Sequence, residues 1–334
     1  MTCPNIYLGT GRFGAAPLAH DYGNDAIILS SYDVTVSTTV FGQLRVNNHG
    51  TDDSPSSHVE LYWSDPGTNF PALASRLIFA ADQVIPGAAV GGDEGELVTN
   101  WSYSFPTVGH FCLLARLENN SPPSGAGCTS QGYNSSSPPT DPQSAIHNIN
   151  VISPAPKKAE AANKFMGFGF MAMNLQRDTQ KTFLEVHALE PKKDREKLLN
   201  LVSLPGVDRI LSQRRLKFAV PGGLHLGEGR ERLVLRREHF AKDTPASCIP
   251  RMRTLGQVGP ETLQRLLLPG ARLAEAKGKH ELDLMYGEAR QTFIQVETSG
   301  RDKVAYAVEV THKAEDGRVI GGLVCIFVPP HDYF

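Results

Sequence analysis

The sequence lacks any apolar run close to the roughly 20 residues that a membrane-spanning helix needs. Its first residues, Met1 to Asn5, also lack a basic segment followed by an apolar one, so no secretion signal is recognised. We therefore expect no membrane span. The localisation stays open between the cytoplasm and export by a route that needs no signal peptide.

An excess of one charge is also missing from the chain as a whole. The formal net charge of -2 gives no reason to expect nucleic acid or an acidic membrane as a partner. Charge is nevertheless uneven along the chain. Residues 1–150 contain no Lys, whereas residues 155–334 contain all the Lys and most of the Arg. A shift of this kind is typical of two domains with separate surfaces.

Cysteine is scarce and has no C-x-x-C spacing. Cys112 and Cys325 lie within apolar strand-like runs, where a reduced, buried thiol is expected. Cys128 lies in a Gly/Ser loop, and its pairing with Cys112 is an open alternative. Together with Cys3 and Cys248, the pattern fits a reducing compartment, or a secreted protein that does not rely on disulfides.

Motifs of catalysis and metal binding are missing as well. The sequence contains no G-x-S-x-G, no H-E-x-x-H and no Cys/His array, so we expect no catalytic residue, no metal ligand set and no cofactor. Residues 8–16 fit G-x-G-x-x-G, but loop residues follow where a phosphate-binding fold needs a helix. A zinc site assembled from distant histidines is an open alternative.

Short strand-like runs are what the first half contains. Apolar and polar side chains alternate in residues 58–63, HVELYW, as in a strand with one buried face. Residues 109–117 are more apolar and predict a central strand, and residues 147–152 predict the last strand of this half. Turn-forming Asn, Asp, Gly, Pro and Ser separate the runs. Short strands without a convincing helix predict an antiparallel β-sandwich.

Three segments of this half carry a family resemblance: FGQLRVNNHGTDDSPSSHVELYWSDPG, then VGHFCLLARLE, then AIHNINVISP. Their order resembles a bacterial immunoglobulin-like domain of the cell-adhesion-related (CARDB-like) kind, over most of residues 38–152. The resemblance implies an immunoglobulin-like sandwich. It implies little about activity, because such modules serve as binding or spacer domains in many settings.

The second half predicts another sandwich, with helical insertions. Asp316-Gly317 between two runs of β-forming residues indicates a hairpin. Residues 194–214 and 260–268 have helical spacing, and we expect both to lie over the sandwich or at its ends. The chain is thus predicted to be mainly β, with two immunoglobulin-like antiparallel sandwiches. The predicted organisation is a CARDB-like sandwich over 1–153, a linker over 154–164 and the decorated sandwich over 165–334.

Two groups of residues are candidates for binding. The loop over 47–55, NNHGTDDSP, is dense in oxygen donors, and His49, Asp52 and Asp53 are its candidate residues. It lacks the ligand order of an EF-hand, so a polar hairpin turn is favoured over a Ca²⁺ site. Arg214 and Arg215 begin a basic run interleaved with Glu, which favours a solvated, ion-paired face over a nucleic-acid groove.

These features favour a non-enzymatic binding or assembly protein of bacterial, adhesion-related type. We expect it to recognise a protein or a glycan, or a second copy of itself, through sandwich loops or sheet edges. The alternatives are a hydrolase with a site in the cleft between the domains, and a secreted toxin or effector.

Overall fold

The described residues form four β-sheets, which pair into two sandwiches. Among the residues that the computed structural model describes, the helices are two short ones. The prediction of a mainly β fold of immunoglobulin-like antiparallel sandwiches with short helical insertions is therefore confirmed. The described residues are 3–9, 25–30, 39–69, 76–90, 92–105, 110–119, 128, 141–152, 165–179, 181–234, 256–258, 272–298 and 303–328.

The first sandwich consists of two antiparallel sheets. In one sheet β3 is central and pairs with β1, β2 and β6, and the other sheet has the order β5-β4-β7-β8. The strands are β1 (Ile6–Leu8), β2 (Ile27–Leu29), β3 (Thr39–Asn48), β4 (Ser57–Ser64), β5 (Leu77–Gln83), β6 (Gly95–Ser104), β7 (Cys112–Asn119) and β8 (Ser144–His147).

Alternation in β4 places its apolar side chains in the core between these sheets. Val59 and Leu61 are fully buried there and pack in one cluster with Leu44 of β3. His58 and Glu60 alternate with them in sequence and contact each other on the opposite face, at 3.4 Å from the His58 Nε2 to the Glu60 Oε1. Successive side chains of a strand point to opposite faces, so the period-two pattern fixes which face is buried.

The predicted last strand of the first half, residues 147–152, divides at Asn148. β8 pairs with β7, whereas β9 (Ile149–Ile152) pairs in parallel with β19 (Val319–Phe327) of the second sandwich. The prediction of one strand that completes the first sheet was therefore wrong. An apolar run shows which side chains are buried, but it does not specify which sheet the strand joins.

The second sandwich encloses a larger apolar core. Its sheets have the orders β14-β10-β17-β13-β15 and β16-β11-β18-β19-β9, and the short β12 pairs in parallel with β18. Phe168, Ile294, Tyr306 and Phe327 are buried between the sheets. The further strands are β10 (Phe165–Met173), β11 (Lys181–Ala188), β12 (Lys217–Phe218), β13 (Gly223–Val234), β14 (Gly256–Val258), β15 (Arg272–Glu275), β16 (Lys279–Asp283), β17 (Glu288–Glu297) and β18 (Val304–Ala314).

The predicted hairpin at Asp316-Gly317 is confirmed. β18 and β19 pair in antiparallel fashion on either side of it. Gly317 has a φ of 87°, a left-handed conformation that glycine adopts without steric cost. The turn therefore explains why the sequence has a glycine at this position.

Two helices cover the outer face of the sheet that contains β18. α1 (Arg195–Val202) and α2 (Pro205–Arg214) bury Leu198 and Leu211 in one cluster with Ile326 of β19. Pro205 occupies the first turn of α2, where its missing N–H has no intrahelical partner to lose. The first predicted helical stretch thus lies over the sandwich, as expected. The second, 260–268, and the linker, 154–164, lie outside the described residues.

Cys128 forms a disulfide with Cys3, and not with Cys112. The two Cα atoms are 5.5 Å apart, an ordinary separation for a disulfide. The expectation that the chain does without disulfides was wrong, because a partner 125 residues away cannot be inferred from spacing. Cys112 and Cys325 are buried free thiols, and burial raises the pKa of both.

Candidate functional site

The candidate loop between β3 and β4 is ordered by the side chain of Asn48, which is fully buried. Its Oδ1 accepts hydrogen bonds from the backbone N–H of Asn5 and of Gly50, both at 2.9 Å. Its Nδ2 donates to the carbonyl oxygen of Asp52 at 2.9 Å. The Asn48 amide thus closes the loop and also connects it to the N-terminal segment. Asn side chains commonly close turns in this way.

A second loop, between β5 and β6, packs against the first. The backbone N–H of Gly87 donates to the Asp53 Oδ1 at 2.8 Å, and that of Ala88 donates to the carbonyl oxygen of Gly50 at 2.7 Å. A Cβ atom at Gly87 would overlap the carbonyl oxygen of Thr51, so only glycine permits this approach. We refer to residues 49–53, 84–90 and 92–94 together as the loop platform.

Glu94 connects the platform to the body of the sandwich. Its carboxylate accepts hydrogen bonds from the Tyr7 hydroxyl and, at 3.4 Å, from the Asn47 Nδ2, and it lies 3.0 Å from the His49 Nδ1. Burial opposes ionisation of Glu94, but the hydrogen bonds from Tyr7, His49 and Asn47 outweigh it and lower its pKa. Burial, with the hydrogen bond to Glu94, raises the pKa of Tyr7. Glu94 is therefore held as a carboxylate.

The exposed part of the platform combines acidic and apolar side chains. Asp52 and Asp53 are exposed at the tip of the first loop. Val90 is 94% exposed and Val84 is 53% exposed on the second loop. The carboxylates offer hydrogen-bond acceptors and negative charge, and the two valines offer apolar contact area.

The predicted arginines lie elsewhere. Arg214 is the last residue of α2, and Arg215 follows it with a φ of 51°, the left-handed conformation that ends many helices. Arg215 is exposed and Arg214 is half-buried. α2 packs on the second sandwich, so the predicted site residues form two separate groups. His49, Asp52 and Asp53 are brought together, and the arginines do not join them.

One histidine of the second sandwich, His187, has an acidic partner. The His187 Nε2 lies 3.0 Å from the Asp194 Oδ2, just before α1. Hydrogen bonds from the backbone of Glu190 and from His187 outweigh the opposing effect of burial and lower the pKa of Asp194. Across the described part of the chain, no group of three or more His, Cys, Asp or Glu side chains is arranged to hold a metal ion.

No protein-family model matches the sequence, and no curated protein matches it. Solved structures resemble it at low identity. The CARDB domain of the PF1109 protein from Pyrococcus furiosus is 14% identical, with 44% of this chain and 92% of that chain covered and a TM-score of 0.26. Collagen adhesin from S. aureus is 6% identical, with 94% and 95% covered and a TM-score of 0.23. CfaE, the adhesive subunit of the CFA/I fimbria of enterotoxigenic Escherichia coli, is 6% identical, with 99% and 94% covered and a TM-score of 0.21.

Sequence reasoning missed the residues that order the platform. Glu94, Asn48 and Gly87 carry most of its hydrogen bonds, and none was a candidate. Of the three, Asn48 could most easily have been found from the sequence, because an Asn directly before His-Gly favours a turn closed by its side chain. Glu94 is 45 residues from His49 in sequence, so only the pairing of β3 with β6 brings them together. Within the described segments, no helix is long and apolar enough to cross a membrane.

Proposed function

We propose that the chain is a non-enzymatic binding or assembly protein that recognises a protein or a glycan through the loop platform. The observation that carries this proposal is the order of the platform. Its two loops are joined by hydrogen bonds from Gly87 to Asp53 and from Ala88 to Gly50. A surface that is already ordered loses less conformational entropy when a partner binds, which favours affinity.

The charge of the platform indicates the chemistry of the partner. Asp52 and Asp53 are exposed, and Asp93 and Glu94 lie on the facing loop. Basic groups, or the hydroxyl groups of a glycan, are the complements of such carboxylates. Val90, which is 94% exposed, adds apolar contact area. The Glu94 carboxylate is already hydrogen-bonded to Tyr7 and His49. The exposed Asp52 and Asp53 are therefore more available to a partner than Glu94 is.

An array of purified glycans and basic peptides, probed with the intact protein, tests the proposal. We expect the double change Asp52→Asn and Asp53→Asn to weaken any interaction by about tenfold or more, equivalent to about 1.4 kcal/mol. Glu118→Gln is the matched control, since Glu118 is an exposed acid of β7 outside the platform. It should leave the affinity unchanged. An interaction that survives the double change but is lost with Arg214→Gln and Arg215→Gln would place recognition on α2 instead.

We further propose that the chain has two domains, a CARDB-like immunoglobulin domain over 1–153 and a second sandwich over 165–334, with a linker over 154–164. Separate apolar cores support this division. β9 pairs with β19, so the end of the first segment contributes a strand to the second sheet. Cleavage of the intact protein by trypsin at Lys157 or Lys158 should therefore give fragments that elute together in size exclusion. Fragments that separate without denaturant would contradict the contribution of β9 to the second sheet, whereas fragments that unfold after cleavage would contradict the two-domain proposal.

A further inference from the structure

The loop that follows β4 extends from the first sandwich onto the second. The backbone N–H of Thr68 donates to the carbonyl oxygen of Met171 at 2.9 Å, and the N–H of Met171 donates to that of Pro66 at 3.0 Å. Gly67 forms a parallel β-bridge with Met171. The loop therefore adds a short strand to β10. We refer to residues 64–69, with the residues of the second sandwich that they contact, as the junction.

Asn148 ties the same loop to β19. Its Nδ2 donates to the carbonyl oxygens of Gly67 and Gly322, both at 2.6 Å. The backbone carbonyl oxygen of Asn148 accepts from the N–H of Val324 at 3.0 Å. The Cys112 thiol donates to its Oδ1. Asn148 is fully buried, so these bonds are made away from solvent, where an unmade hydrogen bond is costly.

His312 of β18 completes the junction. It is fully buried, and its Nδ1 lies 2.8 Å from the Thr68 hydroxyl oxygen. Its Nε2 is buried without a hydrogen-bond partner among the described residues. Gly321 is its neighbour on β19, and a Cβ atom there would overlap the carbonyl oxygen of Thr68. The loop therefore lies directly against the two strands that flank this imidazole.

Among the described residues, the elements around His312 supply no counter-charge to its ring. Leu184 on β11 and Gly321 on β19 are its cross-strand partners, and Thr68 of the loop, which also contacts the backbone of Met171 and Met173 on β10, lies against it. The nearest acids on these elements are already paired. The Asp65 Oδ2 lies 2.7 Å from the Arg76 Nη2, and Glu185 of β11 pairs with Lys313. The other buried titratable groups near the junction are His147, Cys112 and Cys325.

We propose that the junction is an acid-sensitive contact, in which protonation of His312 separates the loop over 64–69 from the second sandwich while each sandwich keeps its own core. A protonated imidazole would place a second N–H, and a full charge, where the described part of the chain offers no acceptor. The closed junction can hold only the neutral ring. Opening exposes the ring to water, which solvates the charge.

The direction of the pH dependence follows from burial. Burial lowers the pKa of His312 to about 3 in the closed junction. An exposed imidazole has a pKa of about 6.5, so below that value the open form binds a proton that the closed form does not. The closed junction is therefore fully favoured above about pH 6.5. It is lost progressively as the pH falls toward the lowered pKa of His312. Each pH unit in that interval should raise the open population by up to about tenfold.

Hydrogen–deuterium exchange of the intact protein, followed by mass spectrometry from about pH 7 to about pH 4, tests the proposal. After correction for intrinsic exchange, peptides that contain Thr68 or Met171 should exchange faster as the pH falls. Peptides of β17 and β3 should not change. His312→Asn keeps a polar group for Thr68 but does not titrate, so its junction peptides should lose the pH dependence.

Two matched variants separate His312 from other histidines. His58→Gln changes a histidine on the outer face of β4 and should leave the pH dependence intact. His147→Asn changes the other buried histidine, whose pKa burial lowers to about 4, and should also leave it intact at the junction. Loss of the dependence in His147→Asn, its persistence in His312→Asn, or exchange in the unaltered protein that does not vary with pH would each overturn the proposal.

Thr68→Val provides a second route if His312→Asn does not fold. Removing the hydroxyl leaves the Nδ1 of His312 without its partner. The junction peptides should then exchange faster at every pH, with the pH dependence retained. Exchange equal to that of the unaltered protein would show that the contact does not hold the junction closed, and would overturn the proposal.

Discussion

The two sandwiches are stabilised by different means. In the first, polar groups and a disulfide fasten the ends of the strands: Cys3 to Cys128, Glu94 to Tyr7 and His49, and Asn48 to four backbone groups. In the second, one sheet is buried on both faces, by the facing sheet on one side and by α1 and α2 on the other. Because this sheet is covered on both sides, both faces of its central strands contribute apolar burial, as Val308 and Ala307 of β18 do.

The sequences of the central strands reflect this contrast. β4, HVELYW, alternates over its first residues, where His58 and Glu60 are half-buried on the face opposite the core. β19, VIGGLVCIF, is apolar throughout, and all of its residues from Ile320 to Phe327 are buried. In this chain, a continuous apolar run therefore indicates a strand that is covered on both faces.

The largest expected effect concerns the core of the second sandwich. Phe327→Ala should reduce the free energy of unfolding by about 3–5 kcal/mol, because the ring is fully buried between the sheets. Phe165→Ala is the matched control, since Phe165 is 41% exposed and its loss should cost much less. Hydrogen exchange in mild denaturant, followed separately for β17 and β3, measures the two sandwiches. Equal loss in both would show that they unfold as one unit.

The next effect concerns the first sandwich. Cys3→Ser should destabilise it by about 2–5 kcal/mol, because the disulfide closes a long loop of the unfolded chain. The loss should appear in peptides of β3 and β4 and not in those of β17. Reductant should reproduce it in the unaltered protein and add nothing in the variant. If reductant destabilised the variant further, another disulfide would have to be responsible.

The smallest effect concerns the platform, and its pH dependence has a defined sign. The folded pKa of Glu94 is lowered from its ordinary value of 4.5, so its carboxylate stabilises the fold above that value and ceases to do so as the pH falls through the lowered one. Glu94→Gln should therefore cost about 1 kcal/mol near neutral pH, and little in acid. Glu96→Gln is the control, because that acid is 42% exposed and pairs with Arg45 at the surface. Thermal unfolding at several pH values distinguishes the two.

The sequence predicted the parts of the fold that depend on local patterns. Alternation located β4, the Asp316-Gly317 pair located the hairpin between β18 and β19, and helical spacing located α1 and α2. It was wrong about residues 149–152, which are apolar on both faces and join the second sheet. It also missed the Cys3–Cys128 disulfide, since five cysteines without a spacing motif do not specify a pairing.

The candidate site, too, was predicted from the sequence only in part. The turn composition of NNHGTDDSP identified His49, Asp52 and Asp53 as exposed loop residues, because Asn, Gly and Asp favour turns wherever they occur. Their order comes from Glu94 and Gly87, which arrive from another loop. Charge and turn chemistry are properties of a segment, whereas the partner that each group finds is a property of the strand order.

The sequence by itself determined that this chain is mainly β and which face is buried in patterned strands such as β4. These follow from side-chain periodicity and turn residues, which act over a few positions. Only the tertiary structure decided which sheet β9 joins, which cysteine meets Cys3, and that Thr68 reaches His312 across 244 residues. Such contacts depend on how whole sheets pack, and no local pattern encodes that.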